Sequence, residues 1–434
     1  MKIILMLMLL GGGMLSSATV TLEQAVRDGL ELAASVRDGR IDVENAERRL
    51  RLARSRFLPD LDAGGSWRFQ SERMQLAIDP IIQASQVLFP GLERTVGTKH
   101  NWDLYLGLTQ PIYTGGILSR RRDQAEARVE EESLHLRSAR VERASAIRAA
   151  YYTHAMLEQR RSVAQQLAER LELHLQRLEA LAAEEMARRS DVLETRSRLV
   201  DTQLNVNELD QAVAEAVSRF HELCGHYPAE IFAAADPRAF SREEAETRFL
   251  SRHPGLAALK TRFQQLDLEE KAVAGKYRPS VAAFAAFHLG RPGVDMFAAD
   301  WMGYAVLGVS FSMPVFHWGR GAEERGLVRA SARKLDYRHE ALLRNVAHAL
   351  DRLFDRLAML ERQVDELKKL SGLTSEDIRL KQALYMEKQI SNLDYLAVLC
   401  EQEQVLSRLE AARYNLKLTQ VAVHRAIGYM EEEQ

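Results

Sequence analysis

Gln110-Pro111-Ile112-Tyr113-Thr114-Gly115-Gly116 feeds a helical run of more than a hundred residues that closes at Leu223-Cys224-Gly225. The same design recurs further along, where Met313-Pro314-Val315-Phe316-His317-Trp318-Gly319 feeds a second run that closes at Ala426-Ile427-Gly428. Pro111 and Pro314, Gly116 and Gly319, and Gly225 and Gly428 are each 203 residues apart, and Met156-Leu157-Glu158 returns as Met359-Leu360-Glu361 at the same offset. Two surface helices can share composition by chance. They do not keep register with punctuating prolines and glycines over such a span, so the unit is duplicated.

Working outward, each copy begins with a helix. Thr21-Leu22-Glu23-Gln24-Ala25 supplies a threonine cap and an acidic first turn, and the helix is expected to run to about Phe57, before Pro59. Ser241-Arg242-Glu243-Glu244-Ala245 opens its counterpart, expected to end at Tyr277 before Pro279. Here the offset is 220, so the first copy holds an excursion 17 residues longer between the prolines.

Between opening helix and long run the period changes from helical to two. Leu61, Ala63, Gly65, Trp67 and Phe69 alternate with Asp62, Gly64, Ser66 and Arg68. From Trp102, the residues Leu104, Leu106 and Leu108 oppose Asp103, Tyr105, Gly107 and Thr109. The second copy repeats this over 281–289 and 301–311, with Gly303, Ala305, Leu307 and Val309 on the parity of Trp301. Four strands follow, two per copy. Such alternation suits either a half-buried sheet or a barrel strand with lipid on one side and water on the other. In the second reading Trp102, Leu104, Leu106, Leu108, Leu307 and Val309 face lipid, and Trp67, Trp102, Trp301 and Trp318 mark an interfacial girdle. Four strands cannot close a barrel, whereas three chains supply twelve.

The helical lengths support an elongated hairpin. Residues 117–186 would span about 105 Å of helix. Val206, Leu209, Val213, Ala216, Phe220 and Leu223 in the return helix follow a heptad seam suited to coiled-coil packing.

Composition excludes other classes. The 59 basic and 61 acidic residues nearly cancel, which leaves no nucleic-acid footprint. Met1-Lys2, an apolar stretch over 3–10 and Ser16-Ser17-Ala18 read as a signal peptide, residues 1–18, so the mature chain is expected to be exported. No later run approaches the ~20 apolar residues of a membrane helix, so any membrane crossing would be made by strands. The 12 histidines are scattered, with no metal-ligand spacing and no glycine-rich phosphate loop, and neither an enzyme, a cofactor nor a metal is expected. Cys224 and Cys400 are not equivalent under the repeat, and their pairing stays open. The expected order is signal peptide, first repeat over 19–225, linker over 226–240, second repeat over 241–428 and tail over 429–434.

On these residues the chain closely resembles the TolC-type outer-membrane efflux proteins. The likeness rests on the two Pro-aromatic-Gly strand ends, on Pro59 and Pro279, and on Ser190-Asp191-Val192-Leu193-Glu194 and Asn392-Leu393-Asp394-Tyr395-Leu396, which look like the family's two helix-helix tips. The resemblance implies a mainly α fold with transmembrane β: duplicated hairpins forming a trimeric α-barrel in the periplasm, under a twelve-stranded outer-membrane barrel. It implies a homotrimer that docks on a periplasmic adaptor and an inner-membrane pump of RND or ABC type, as the exit duct of an efflux or type I secretion system. It also implies that Asp394 lines the pore aperture and that Tyr385 and Asp191 hold the tip gate closed. The chain departs from the family pattern at Ala397, where a second aspartate is usual, at Ile390, where the gate arginine is usual, and at Glu185 and Lys388, which replace the tip glycines. The competing expectation is a soluble periplasmic coiled-coil adaptor or scaffold with a small β domain.

Overall fold

A computed structural model of the protein describes residues 20–83, 86–90, 92–230, 235–295 and 297–430. The expected signal peptide lies outside these residues. The chain divides into two compact units, one of Met1–Ile41, Ser133–Ala257 and His339–Gln434, the other of Asp42–Glu132 and Ala258–Arg338. Each unit draws on both halves of the sequence.

The first unit is helical. It holds the greater part of α3 (Ile117–Ala183) and α7 (Arg320–Met386), each of 67 residues, and all of their returns α4 (Arg189–Cys224) and α8 (Asn392–Ile427), each of 36. Equal lengths at the 203-residue offset are what the duplication leads one to expect. Gly225 and Gly428 end the returns in left-handed backbone, at φ of 76° and 67°, as glycine allows at a helix C-terminus.

The opening helices differ from expectation. Each is broken, into α1 (Leu22–Leu32) and α2 (Ala34–Ser55), and into α5 (Arg242–Arg252) and α6 (Pro254–Gly275). The breaks fall on Ala33 and His253, both extended, at the same 220-residue offset. Pro254 explains the second, since the residue before a proline is pushed out of the helical region. The first has no such marker, because Ala33-Ala34 reads as good helix.

Cores follow the helix pairs. Leu22, Val26, Leu30 and Val36 pack on Val141, Ile147, Tyr152, Phe220 and Leu223, and Phe249, Leu256, Leu350, Val423 and Ile427 form the corresponding second-copy cluster. Of the expected seam, Leu209, Val213, Phe220 and Leu223 are buried. A separate cluster of Leu167, Leu171, Leu175, Leu199, Ile378, Leu396, Val398 and Leu399 joins α3, α4, α7 and α8.

The second unit carries the sheet. Strands β1 (Asp60–Phe69), β6 (His100–Thr114), β7 (Ser280–Arg291) and β8 (Met302–Ser312) pair in the order β1-β6-β7-β8, every neighbour antiparallel. These are the four strands of the alternation. The first-copy excursion adds four shorter ones, β2 (Met74–Ile78) with β5 (Leu92–Val96) and β3 (Ile81–Gln83) with β4 (Gln86–Phe89). Their brevity and their prolines hid them from a period-two reading.

Candidate functional site

Two places carry the expected functional residues: the sheet and the helix tips. In the sheet, register decides which side chains share a face. Leu61, Leu108, Ala285 and Leu307 form one cross-strand row, and Ala63, Leu106, Phe287 and Ala305 the next. Leu104 pairs with Leu289, Val309 with Ala283, and Trp102 with both Trp67 and Arg291. Trp102, Leu104, Leu106, Leu108, Leu307 and Val309 therefore lie on a single face, because side chains alternate strictly along a strand. They are exposed in the protomer, Leu307 to 79% and Val309 to 67%. The opposite face bears Tyr105, His288 and Tyr304 in one row, with His288 Nδ1 3.0 Å from the Asp103 carboxylate.

At the tips, both long helices end alike. Met186 N–H donates to Leu181 O and Glu185 N–H to Ala182 O; Gln389 N–H donates to Leu384 O and Lys388 N–H to Tyr385 O. This is the double-bonded ending that needs a left-handed residue at its centre. Glu185 and Lys388 fill that place, each at φ 61°.

The return helices start differently. Ser391 caps α8: its hydroxyl accepts from Asp394 N–H at 3.2 Å, while the Asp394 carboxylate accepts from Ser391 N–H at 3.2 Å and from its hydroxyl at 2.6 Å. Those bonds hold the Asp394 carboxyl below its ordinary range. Asp394 is exposed, and its charge is tied to its own helix start. Arg188 precedes α4 without a side-chain cap, and Asp191 sits half-buried in the first turn.

Tyr385 stacks on Tyr395 with ring centroids 5.0 Å apart. Burial raises its pKa and the nearby Asp191 charge raises it further, so these two expected gate residues are brought close. Among the described residues, the side-chain bonds to the Asp191 carbonyl come not from the Tyr385 hydroxyl but from Thr195 Oγ1 and Asn392 Nδ2, which donate to it. What reaches Asp191 is Asn392, whose Nδ2 donates to Asp191 O at 3.3 Å and to Thr195 Oγ1 at 3.1 Å, while its Oδ1 lies 2.8 Å from His174 Nε2. Sequence reasoning missed this trio. Its signal was there: His174 interrupts the apolar series Leu167, Leu171, Leu178 at the spacing of a core position.

Among the described residues, no group of three or more His, Cys, Asp or Glu could hold a metal ion, and no helix is long and apolar enough to cross a membrane. Neither Cys224, which is buried, nor Cys400, which is half-buried, is in a disulfide.

Residues 25–226 match the model of the family described as "Outer membrane efflux protein". The match takes in the first repeat, less than half of the chain. The fold agrees over both repeats. A membrane protein from Pseudomonas aeruginosa superposes with a TM-score of 0.75 at 16% identity, covering 94% of this chain and 93% of that one. The outer membrane protein VceC from Vibrio cholerae gives 0.74 at 14%, covering 94% and 96%. The Campylobacter jejuni CmeC outer membrane channel gives 0.70 at 15%, covering 95% and 87%. No curated protein matches the chain.

Proposed function

We propose that the protein is a passive duct whose selectivity and closure reside in the two regions just described. Three copies of the β1-β6-β7-β8 sheet make the twelve-stranded barrel. Trp102, Leu104, Leu106, Leu108, Leu307 and Val309 meet lipid, while the row with Tyr105, His288 and Tyr304 lines the water-filled lumen. The repeats over 19–225 and 241–428 each contribute one broken helix, two main strands and one hairpin. The observation that carries this reading is the sheet register, which collects Leu61, Leu104, Leu106, Leu108, Leu289, Leu307 and Val309 on one face and the ionisable residues Asp103 and His288 on the other, alongside Phe284, Met302 and Val306. A sheet whose one face is dominated by leucines while the other carries Asp103, Tyr105, His288 and Thr109 is stable where lipid meets the first and water the second.

At the periplasmic end, Asp394 of three copies rings the aperture and favours cations, and Asp191 and Tyr385 belong to the contact that keeps it narrow. Energy comes from the inner-membrane pump, of RND or ABC type, through the adaptor; the duct itself binds no cofactor and performs no catalysis. The test is the mass and location of the mature protein, extracted from outer membranes in mild detergent and sized by light scattering. A trimer confined to the outer membrane is expected. A soluble periplasmic monomer would overturn the barrel in favour of a coiled-coil adaptor.

A further inference from the structure

The trio at the tip is a cross-copy structure. His174 lies on α3 and Thr195 on α4, both in the first hairpin, while Asn392 begins α8 in the second. All three are buried within one protomer: Thr195 is 0% exposed, Asn392 5% and His174 9%. Beneath them the apolar cluster of Leu171, Leu175, Leu199, Leu396 and Leu399 seals the contact from solvent. The duplication does not account for the polar residues. At the 203-residue offset, His174 corresponds to Asp377, Thr195 to Val398 and Asn392 to Arg189. Asp377 pairs with Lys381 on its own helix at 3.3 Å instead. The hydrogen bonds are thus specific to the joint between unlike hairpins.

We propose that His174, Asn392 and Thr195 form a proton-sensitive clasp that holds the two hairpin tips of each protomer together, and that acidification of the periplasm releases it. This rests on the reading of the tip as the duct's constriction, and it names the contact that serves where the family's gate arginine is replaced by Ile390.

The hydrogen bonds define the protonation state. Asn392 Nδ2 donates to Thr195 Oγ1 and Asp191 O, and Thr195 Oγ1 donates to Asp191 O at 2.8 Å. Asn392 Oδ1 is left as an acceptor, so His174 donates to it from Nε2. One neutral tautomer satisfies this set. A second proton would place a cation among Tyr385, Tyr395 and the leucines, with ring centroids of the two tyrosines only 5.3 and 5.2 Å from the imidazole.

The groups facing the imidazole do not offset that cation strongly. Arg170 and Arg177 lie on its own helix, Asp191 on α4, Tyr385 on α7 and Tyr395 on α8. Burial lowers the His174 pKa from 6.5; the Asn392 bond opposes the change and Arg177 adds to it. In the released state the imidazole is solvated and takes a proton near its ordinary value. The clasped state binds fewer protons, so the clasp is at full strength above about pH 6.5 and weakens as pH falls through the window below it.

The test is the conductance of full-length trimers in planar bilayers between about pH 7.5 and about pH 5. Conductance of the native duct is expected to rise on acidification, as the clasp weakens through the window below the ordinary imidazole value. His174→Gln, whose amide can still donate to Asn392 without titrating, should stay at the low neutral value throughout. Thr195→Val, nearly isosteric, should raise conductance at both pH values by removing an Asn392 partner, and detergent-resistant trimers will show that it folds. A flat native profile, or a His174→Gln duct that opens with acid like the native one, overturns the clasp. If Asp394→Asn changes ion selectivity while the clasp variants change nothing, the aperture reading stands and the clasp alone falls. If neither Asp394→Asn nor the clasp variants alter the pore, the tip is not the constriction and both fall.

Discussion

Glu185 and Lys388, separated by 203 residues and opposite in charge, hold the same left-handed backbone at φ 61°, one at the turn of each hairpin. The position is where a helix end calls for glycine. Each side chain sits there at a steric cost of about 1 kcal/mol, and each is exposed, so its charge stays in water. Two strained turns with charged, solvated side chains are an uncommon ending for a helical hairpin, and their identical backbone argues that the turn geometry is set by the helices on either side.

Replacing Glu185 or Lys388 by glycine should therefore tighten the turn. The expected gain is about 1 kcal/mol less glycine's entropy in the unfolded chain, read as slower amide exchange at Met186 and Gln389, whose N–H groups close the turns. Faster exchange would mean that the side chains hold the tips through contacts outside the protomer.

Asp394 has two roles to separate, capping α8 and carrying charge. Asp394→Asn retains an oxygen for Ser391 N–H but loses the charge, and Asp394→Ala loses both. Cation preference, measured as reversal potential across a salt gradient, should fall equally in the two variants. A fall only in the alanine variant would assign the effect to fraying of α8. The Ser391 bonds lower the Asp394 pKa, so the capping contribution is present above its ordinary value of 3.8 and is lost as pH falls through the lowered one. Selectivity should accordingly persist throughout the mildly acid range.

Gly115, at φ 64° after β6, faces Gly275 so closely that an added Cβ would lie 2.3 Å from Gly275 O and 3.0 Å from Arg278 Cβ. Gly115→Ala should cost more than about 2 kcal/mol and sharply reduce the yield of folded protein in outer membranes. Trp318 supplies the contrast. It stands 203 residues later, also at positive φ (48°), but 90% exposed. The obstacle at Gly115 is therefore the opposing backbone. Trp318→Gly should leave yield unchanged.

Leu106 and Thr109 lie on opposite faces of β6. Leu106→Lys should cost about 2–4 kcal/mol of membrane stability near mid-depth, measured by urea unfolding from lipid vesicles, while Thr109→Lys should be tolerated and shift conductance. Equal costs at the two positions would remove the assignment of the leucine face to lipid.

Much of this protein is written in short-range patterns. The 203-residue offset, the four alternating strands, the capped helix starts and the tip motifs each depend on residues within a turn or two, and local spacing determines them. The broken helix at Ala33 was illegible, because alanine carries no signal against continuing a helix; His253 was legible only through Pro254. The strands β2–β5 were likewise hidden, being too short for alternation to accumulate. For the tip, the sequence placed Asp191, Tyr385 and Asp394 near the turns, and it could not tell that Asp394 bonds back to Ser391 or that Asn392 reaches His174 across 218 residues. Periodicity marks which residues of a helix are buried and is silent on which residue of another helix they meet. That partner is chosen when four helices pack, because burying an imidazole and an amide in an apolar cluster is tolerable only where each finds the other.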